Sequence, residues 1–142
     1  MSLAPTDIIL ASSEKGTEMQ RDMDLVRKIM LEVQSRGDVF PRTVKIDSVE
    51  DEMLGRHVEM LFDAGFLDGS KMQSVSRSYH IVLVRDLSWE GHDFIDAISK
   101  DGVWQKLKER FSPAEISTLP LKVIKDAAIA VLTSIVKARL GL

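Results

Sequence analysis

Residues 57–94 read HVEMLFDAGFLDGSKMQSVSRSYHIVLVRDLSWEGHDF, and the order of patterns in this stretch predicts the fold. Apolar residues repeat at helical spacing up to an Ala-Gly pair at residues 64–65, which is typical of a helix C-terminus: Leu54, Val58, Leu61 and Phe62. Residues 67–85 then form the best hairpin candidate: Tyr79, Ile81 and Leu83 alternate with His80, Val82 and Val84 on two faces, and residues 74–78 form a polar tip. The stretch therefore predicts a helix that leads directly into a hairpin.

Further elements are predicted upstream of this stretch. An amphipathic helix is predicted to begin near Asp22, because apolar residues recur every three or four positions: Val26, Ile29, Met30 and Val33. Residues 43–46 (TVKI) are β-branched and alternating, which predicts a brief strand. These elements precede the central helix.

Capping residues mark the starts of the other helices. Ser48, with Asp51 at the capping-box spacing, is predicted to cap the helix before the hairpin. Ser88 is predicted to cap the helix after the hairpin. Ser112 and Pro120 are predicted to start two further helices near the C-terminus, each with a proline in its first turn.

The resulting order is helix, short strand, helix, hairpin and further helices, which defines an α+β fold that is mainly helical. A helix that ends at an Ala-Gly corner and feeds a hairpin (the wing), followed by a capped helix, is the layout of a winged helix. We therefore predict a winged-helix domain at residues 19–112, with additional C-terminal helices. Residues 1–18 are predicted to form a flexible N-terminal arm, and residues 113–142 a helical oligomerisation element.

Several motifs carry a family resemblance. Residues 57–67 resemble the end of the recognition helix in winged-helix regulators of the arsenic-repressor type, and residues 87–94 resemble the helix start that follows the wing in such proteins. A wider set of motifs is similar to an uncharacterised bacterial and prophage family, domain-of-unknown-function family 2513: RDMDL at 21–25, residues 57–67, WEGHDF at 89–94, VW at 103–104 and LPL at 119–121. The resemblance covers residues 19–140 and implies a winged helix, but no activity.

The composition narrows the classes of function. The net charge of -3 leaves no chain-wide basic field for nucleic acid or anionic lipid, so any such site must be local. The absence of cysteine excludes disulfides and thiolate metal sites and is typical of the cytoplasm. No secretory signal and no apolar run of the ~20 residues needed for a bilayer span is found. We therefore expect a cytoplasmic protein that does not enter the membrane.

Signals for catalysis or a cofactor are weak. His92 and Asp96 lie one helical turn apart, but two ligands on one helix do not make a metal site. No phosphate-binding glycine loop or nucleophile elbow occurs. His57 is expected to pack at the junction of helix and wing, and Trp89 and Trp104 in the core. We therefore expect no enzyme activity, no cofactor and no metal site.

Two interpretations of the wing and the central helix stay open, and the first is the favoured one. In the first, the protein is a small regulator that contacts nucleic-acid phosphates through bases of the wing, with one further base on the helix: Lys71, Arg77, Arg85 and Arg56. In the second, the acidic helix at residues 47–63 docks a basic partner protein without binding DNA. Seven carboxylates between residues 47 and 68 argue against major-groove binding by that helix.

The last helix predicts self-association. Its apolar residues follow alternating spacings of three and four, as in a coiled-coil seam: Leu121, Ile124, Ala128, Val131, Ile135, Ala138 and Leu142. A second stripe runs beside the seam: Ile129, Leu132, Val136 and Leu140. A helix that is apolar on two faces needs a partner on both, so we expect a homodimer.

Overall fold

The computed structural model describes residues 20–142, which form six α-helices and one antiparallel hairpin. In chain order the elements are α1 (Met23–Gln34), α2 (Asp51–Asp63), β1 (Leu67–Met72), β2 (Ile81–Leu87), α3 (Trp89–Ile98), α4 (Asp101–Arg110), α5 (Pro113–Thr118) and α6 (Leu121–Leu140). The prediction of a mainly helical α+β fold is confirmed. The predicted arm at residues 1–18 lies outside the described residues.

Three helix starts carry side-chain caps, of which those at Ser88 and Ser112 were predicted, and each supplies an acceptor to amide groups that the helix itself leaves unbonded. The Asp22 carboxylate accepts from the N–H groups of Asp24 and Leu25 at the start of α1. The Ser88 hydroxyl accepts from the Gly91 N–H at the start of α3. Ser112 and Glu115 form a reciprocal capping box at the start of α5. Local sequence signals therefore fix these three helix starts.

The predicted start of α2 is wrong. Ser48 adopts a left-handed conformation with φ 67°, and its hydroxyl donates to the Asp47 carbonyl. The residue that caps α2 is Glu50, whose side chain makes no capping bond. Because the hydroxyl of Ser48 is turned toward the preceding carbonyl, it is not available to the helix amides.

The predicted strand at residues 43–46 is also wrong. The segment makes a single bridge to the hairpin, in which Arg42 and Val84 exchange two backbone hydrogen bonds with N–O distances of 3.1 and 2.8 Å. The chain then leaves β2, although Val44 is buried. Four residues of strand propensity were too few to hold this segment on the sheet against its packing toward the core.

The hairpin follows the prediction closely. β1 and β2 pair in register from Leu67 opposite Leu87 to Met72 opposite Ile81, with a bulge between Asp68 and Gly69. Gly65 supplies the positive φ of 88° that ends α2 and turns the chain into β1. One face of the hairpin is buried against the helices through alternate residues of β2.

The core lies between α1, α3 and the buried face of the hairpin. Phe94, Ile95 and Ile98 of α3 are fully buried, and the Phe66 and Phe94 rings lie 5.2 Å apart. Gly91 brings α3 so close to the Phe66 carbonyl that a Cβ there would lie 2.1 Å from its oxygen. The predicted burial of Trp104 is confirmed, whereas Trp89 is 84% exposed at the start of α3, so its prediction is wrong.

The last helix packs on its own domain only over its first half. Leu121, Ile124 and Ala128 are buried against α3 and α4. Beyond them burial declines, and Val136, Leu140 and Leu142 are 45%, 67% and 84% exposed. The C-terminal half of α6 therefore carries apolar side chains away from the core.

Candidate functional site

We call the surface formed by residues 47–87, which comprise α2 and the wing, the α2–wing surface. Its centre is Glu59 of α2, whose carboxylate accepts from the His80 backbone N–H at 3.1 Å. The other carboxylate oxygen lies 2.6 Å from His80 Nδ1 and 3.5 Å from Lys71 Nζ. One carboxylate therefore ties the end of the wing loop and strand β1 to α2.

The charge state of Glu59 depends on these bonds. Burial by itself would raise the pKa of its carboxyl, but the hydrogen bonds from His80 and Lys71 outweigh burial and lower it. Glu59 is therefore ionised, and the link between α2 and the wing is a charge-assisted one.

The predicted phosphate contacts are mostly held by carboxylates of the same surface. Lys71 Nζ lies 2.7 Å from a carboxylate oxygen of Asp63, in addition to Glu59, and this pairing raises the pKa of Lys71. Arg85 forms an ion pair with Asp68 across the hairpin. Arg56 lies 3.6 Å from Glu52, one turn earlier in α2. These three bases are thus partly neutralised within the chain.

Arg77 is placed differently. It lies at the exposed end of the wing, where its guanidinium donates to the Tyr79 hydroxyl at 3.1 Å and lies 5.9 Å from the centre of that ring. The ring of Tyr79 rests on Gly55 of α2 so closely that a Cβ at Gly55 would lie 2.1 Å from it. Of the four predicted contacts, Arg77 is therefore the one that an aromatic ring, and not a carboxylate, positions in this structure.

The α2–wing surface is acidic overall. Residues 47–87 contain four bases and eight carboxylates: Asp47, Glu50, Asp51, Glu52, Glu59, Asp63, Asp68 and Asp86. Asp47, Glu50, Asp51 and Glu52 are exposed around the start of α2, where the helix dipole stabilises negative charge. A phosphate backbone that approached this end of α2 would meet like charge.

His57 lies on the opposite side of α2. Its ring is fully buried, accepts from the Asp22 N–H at 2.9 Å through Nε2, and donates from Nδ1 to the Met53 carbonyl at 2.8 Å. Burial lowers the pKa of His57, so the neutral ring is the favoured form. The expectation of a packed histidine holds, but its partner is the start of α1 and not the wing.

His92 and Asp96, which lie one helical turn apart on α3, bind different partners. His92 Nε2 lies 3.8 Å from an Asp86 carboxylate oxygen at the end of β2. Asp96 instead accepts from the Gln34 side-chain amide of α1 at 3.1 Å. Within residues 20–142 no group of three or more His, Asp or Glu side chains is placed to hold a metal ion.

A cleft of about 850 Å³ lies between the starts of α1 and α2 and the helices α4 and α5. Arg21 lines it and donates to the carbonyls of Ile116, at 2.6 Å, and Leu119. Burial lowers the pKa of Arg21. Because this guanidinium already satisfies two carbonyls of α5, it serves to dock α5 on the start of α1.

The predicted seam of the last helix is divided between core and surface. Its first members, Leu121, Ile124 and Ala128, lie in the protein's own core, and Val131 and Ile135 are half-buried. Its last members, Ala138 and Leu142, are exposed. In this conformation the surface available to a partner is formed by the end of the seam together with the second stripe.

Comparison with known proteins identifies the chain. A family model described as "Hypothetical protein (DUF2513)" matches residues 20–116. The chain belongs to the DUF2513 family. A protein of Haemophilus influenzae described as "Uncharacterized protein" is 30% identical over 114 residues, which cover 78% of this chain and 92% of that protein. No solved structure gives a match.

The part of the chain that the DUF2513 model matches contains α1 to α4, the hairpin and most of α5, so it includes the whole α2–wing surface. Helix α6 lies beyond the matched residues. No helix in the described part of this DUF2513 protein has the length and apolar character that a membrane crossing needs.

Sequence patterns missed the residues that connect the elements of this DUF2513 protein. Arg36 follows α1, and its guanidinium donates to the Val84 carbonyl at 2.8 Å and to the Thr43 carbonyl at 3.3 Å. Glu59 was counted only as one charge of an acidic helix. Neither residue carries a local signal, because both bind groups that are distant in the sequence.

Proposed function

We propose that this DUF2513 protein is a non-enzymatic protein-interaction module of the winged-helix type. It self-associates through the C-terminal half of α6 and offers the acidic α2–wing surface to a basic partner protein. The observation that carries the proposal is the exposed apolar end of α6, where Val136, Leu140 and Leu142 lie in solvent. Contiguous exposed apolar side chains mark surfaces that bind protein.

The geometry of α6 favours a second copy as the partner there. The half-buried Ile129 and Leu132 continue along the helix into the exposed Val136 and Leu140, so one stripe runs from the domain surface to the helix end. Lys137 and Arg139 are the charged residues between positions 127 and 142. Two such stripes facing each other would bury aliphatic side chains while these cations stay at the edges.

Sedimentation velocity tests self-association. The wild-type protein is expected to sediment as a dimer, and Val136→Lys with Leu140→Lys is expected to sediment as a monomer. Ala130→Lys with Ser134→Lys is the matched control, since it adds the same charge, with the same four-residue spacing, to the exposed side of α6 away from both apolar stripes. A wild-type monomer at high concentration, or equal dissociation of the control, would refute this part of the proposal.

The charges of the α2–wing surface favour a basic protein over nucleic acid. Lys71, Arg85 and Arg56 already face carboxylates, while Asp47, Glu50 and Asp51 at the start of α2 are exposed. Within the described chain, residues 37–49 contain no helix, so α2 lacks the preceding helix of a helix-turn-helix. Both features support a protein-binding role for α2.

Fluorescence anisotropy with a labelled oligolysine peptide tests the acidic surface. The peptide is expected to bind the wild-type protein, and Asp47→Lys with Asp51→Lys is expected to weaken binding about tenfold, since two repulsive charges replace two attractive ones. Asp93→Lys with Asp126→Lys is the control, because it changes the net charge equally at exposed sites on α3 and α6. An equal loss in both variants would show that only net charge matters and would refute a site on α2.

A second candidate function is nucleic-acid contact through the wing. The placement of Arg77 on the Tyr79 ring at the exposed wing end favours it, since Arg-aromatic pairs are used to bind phosphates and bases. Exposed ion pairs such as that of Arg85 are worth only about 0–1 kcal/mol, so phosphates can compete for these bases.

A mobility shift on random duplex DNA at low salt separates the two functions. Binding that disappears in Arg77→Glu but persists in the control Arg110→Glu supports wing contact, since Arg110 is exposed at the end of α4. No shift of the wild-type protein at any salt concentration would remove this candidate and leave the protein-interaction proposal intact.

A further inference from the structure

The outer edge of β2 is only partly paired. One edge of this strand carries β1, and on the other edge Val84 exchanges both of its backbone hydrogen bonds with Arg42. In an antiparallel strand alternate residues point their N–H and C=O groups to the same edge. The backbone groups of Val82 and His80 therefore face the same outer edge as those of Val84.

The segment after Arg42 has the sequence and the register to continue this pairing. If the bridge between Arg42 and Val84 is extended antiparallel, Val44 faces Val82 and Ile46 faces His80. Residues 43–46 have the β-branched alternation of a strand. Instead, a cleft of about 460 Å³ lies beside β2, and its lining includes residues 43–49 together with Ile81 and Val82.

Arg36 holds the beginning of this segment in place for pairing. Its guanidinium bonds the carbonyl of Val84, at the existing bridge, and that of Thr43. In the extended ladder the Thr43 carbonyl points away from β2. Successive residues of a strand direct their backbone groups to opposite edges, and Arg42 and Val44 face β2. The Arg36 bonds therefore do not compete with a pair between Val44 and Val82.

A different contact blocks the next step. In the extended ladder the His80 N–H would donate to the Ile46 carbonyl. In this structure it donates to the Glu59 carboxylate at 3.1 Å. At the other end of the segment, Ser48 holds a left-handed conformation with φ 67°, which is unfavourable for a residue with a Cβ. Glu59 thus occupies the His80 amide at the outer edge of β2, and the turn at Ser48 directs residues 43–46 away from that edge.

We propose that residues 43–46 are a latent third strand of the wing, which pairs with β2 through Val44 and Ile46 and closes the cleft when Glu59 releases the His80 amide. The open state, seen in this structure, and the closed state, in which residues 43–46 pair with β2, differ in a few hydrogen bonds and in the volume of the cleft. Glu59 keeps the open state, since it binds the His80 amide that the pair with Ile46 requires. This device is independent of the proposed function, and neither depends on the other's test.

Disulfide trapping tests the closed state, because the chain has no cysteine of its own. In the extended ladder Lys45 and Ile81 form a non-hydrogen-bonded pair with Cα atoms ~4.5 Å apart, which a disulfide can bridge. The off-register pair Lys45 and Leu83 is ~7–8 Å apart in that ladder and is the control. The double variant Lys45→Cys with Ile81→Cys is expected to form an intramolecular disulfide about tenfold faster than Lys45→Cys with Leu83→Cys.

The role of Glu59 is tested in the same assay. Adding Glu59→Ala to the in-register pair is expected to accelerate crosslinking about fivefold, the change that freeing one hydrogen-bonded amide produces. Asp63→Ala is the control, since it removes a carboxylate that binds Lys71 but not His80. Equal crosslinking rates for the two cysteine pairs, or no acceleration by Glu59→Ala in a variant whose circular dichroism remains native, would overturn the proposal.

Discussion

The wing and the C-terminal end of α6 differ in how their surface side chains are satisfied. On the wing, Lys71 and Arg85 face carboxylates, and the His80 amide is bound by Glu59. At the end of α6, Val136 and Leu140 face solvent. The charged groups of the wing are therefore largely paired within the chain, whereas the apolar side chains at the end of α6 are not covered by it. For this reason we assign self-association to the helix.

The largest expected loss of stability comes from a substitution where α3 packs on the base of the hairpin. Gly91→Ala would place a Cβ 2.1 Å from the Phe66 carbonyl oxygen, so α3 would have to move away from the base of the hairpin. We expect a loss of about 2–3 kcal/mol in the free energy of unfolding, measured by urea denaturation.

The matched glycine lies on the α6 side. At Gly102 the nearest atom to an added Cβ is Ile135 Cδ1 of α6, at 4.0 Å. Gly102→Ala is expected to be neutral or to stabilise the protein by up to about 1 kcal/mol, because alanine favours the helix. Equal losses in both variants would contradict the difference between the two sides.

The next effect concerns pH. Because burial lowers the pKa of His57 below its ordinary value of 6.5, the unfolded chain takes up a proton before the folded one does. The contribution of His57 to stability is complete above pH 6.5 and declines as the pH falls below it. We expect the free energy of unfolding to fall between pH 7 and pH 5, measured by thermal or urea unfolding.

A variant separates this contribution from other groups. His57→Gln is expected to be less stable at pH 7 but to show a flatter pH profile between pH 5 and 7. The lowered pKa values of Glu59 and Asp38 place their titration below this window. A wild-type profile as flat as that of the variant would show that His57 is not held neutral by the fold.

A smaller effect is expected for the contact between Glu59 of α2 and His80 of the wing. A double-mutant cycle with Glu59→Ala and His80→Ala is expected to give a coupling of about 1 kcal/mol, since it removes the ring contact at 2.6 Å. The same cycle with Asp63→Ala in place of Glu59→Ala is expected to give a coupling near zero. A coupling near zero in the first cycle would mean that the contact between the Glu59 carboxylate and the His80 ring contributes nothing to stability.

The smallest effect is expected at the end of α6. Leu140→Lys should change the free energy of unfolding, measured at a concentration where the protein is monomeric, by less than about 0.5 kcal/mol, because the side chain is 67% exposed. Leu121→Lys, at a buried position of the same helix, is the contrasting variant and should be strongly destabilising. A large loss in Leu140→Lys alone would show that the helix end packs on its own domain.

Much of the fold was predictable from short-range patterns. The caps at Ser88 and Ser112 bind an amide three residues later, so both partners of each hydrogen bond lie close together in the sequence. The end of α2 followed from an Ala-Gly pair, and the hairpin from alternating side chains. The predicted strand at residues 43–46 was wrong because a strand forms only where a distant edge pairs with it, and here the pairing with β2 is limited to the bridge between Arg42 and Val84.

The candidate site was less predictable. Sequence reasoning chose Arg56, Lys71, Arg77 and Arg85 by their charge but could not foresee which of them would face carboxylates. Asp68 and Arg85 are 17 positions apart and meet only because the hairpin register brings them together. The exposure of Trp89 was likewise decided by the direction in which α3 leaves the hairpin.

The amino-acid sequence by itself determined where most helices begin and end, although not the start of α2, and that the last helix is apolar on two faces, since these properties depend mainly on neighbouring residues. Only the tertiary structure decided which face of α6 is covered, which wing bases are paired and that the segment at residues 42–46 makes a single bridge to β2. Those outcomes depend on contacts between residues far apart in the chain, whose distances arise only after the helices have packed around α3.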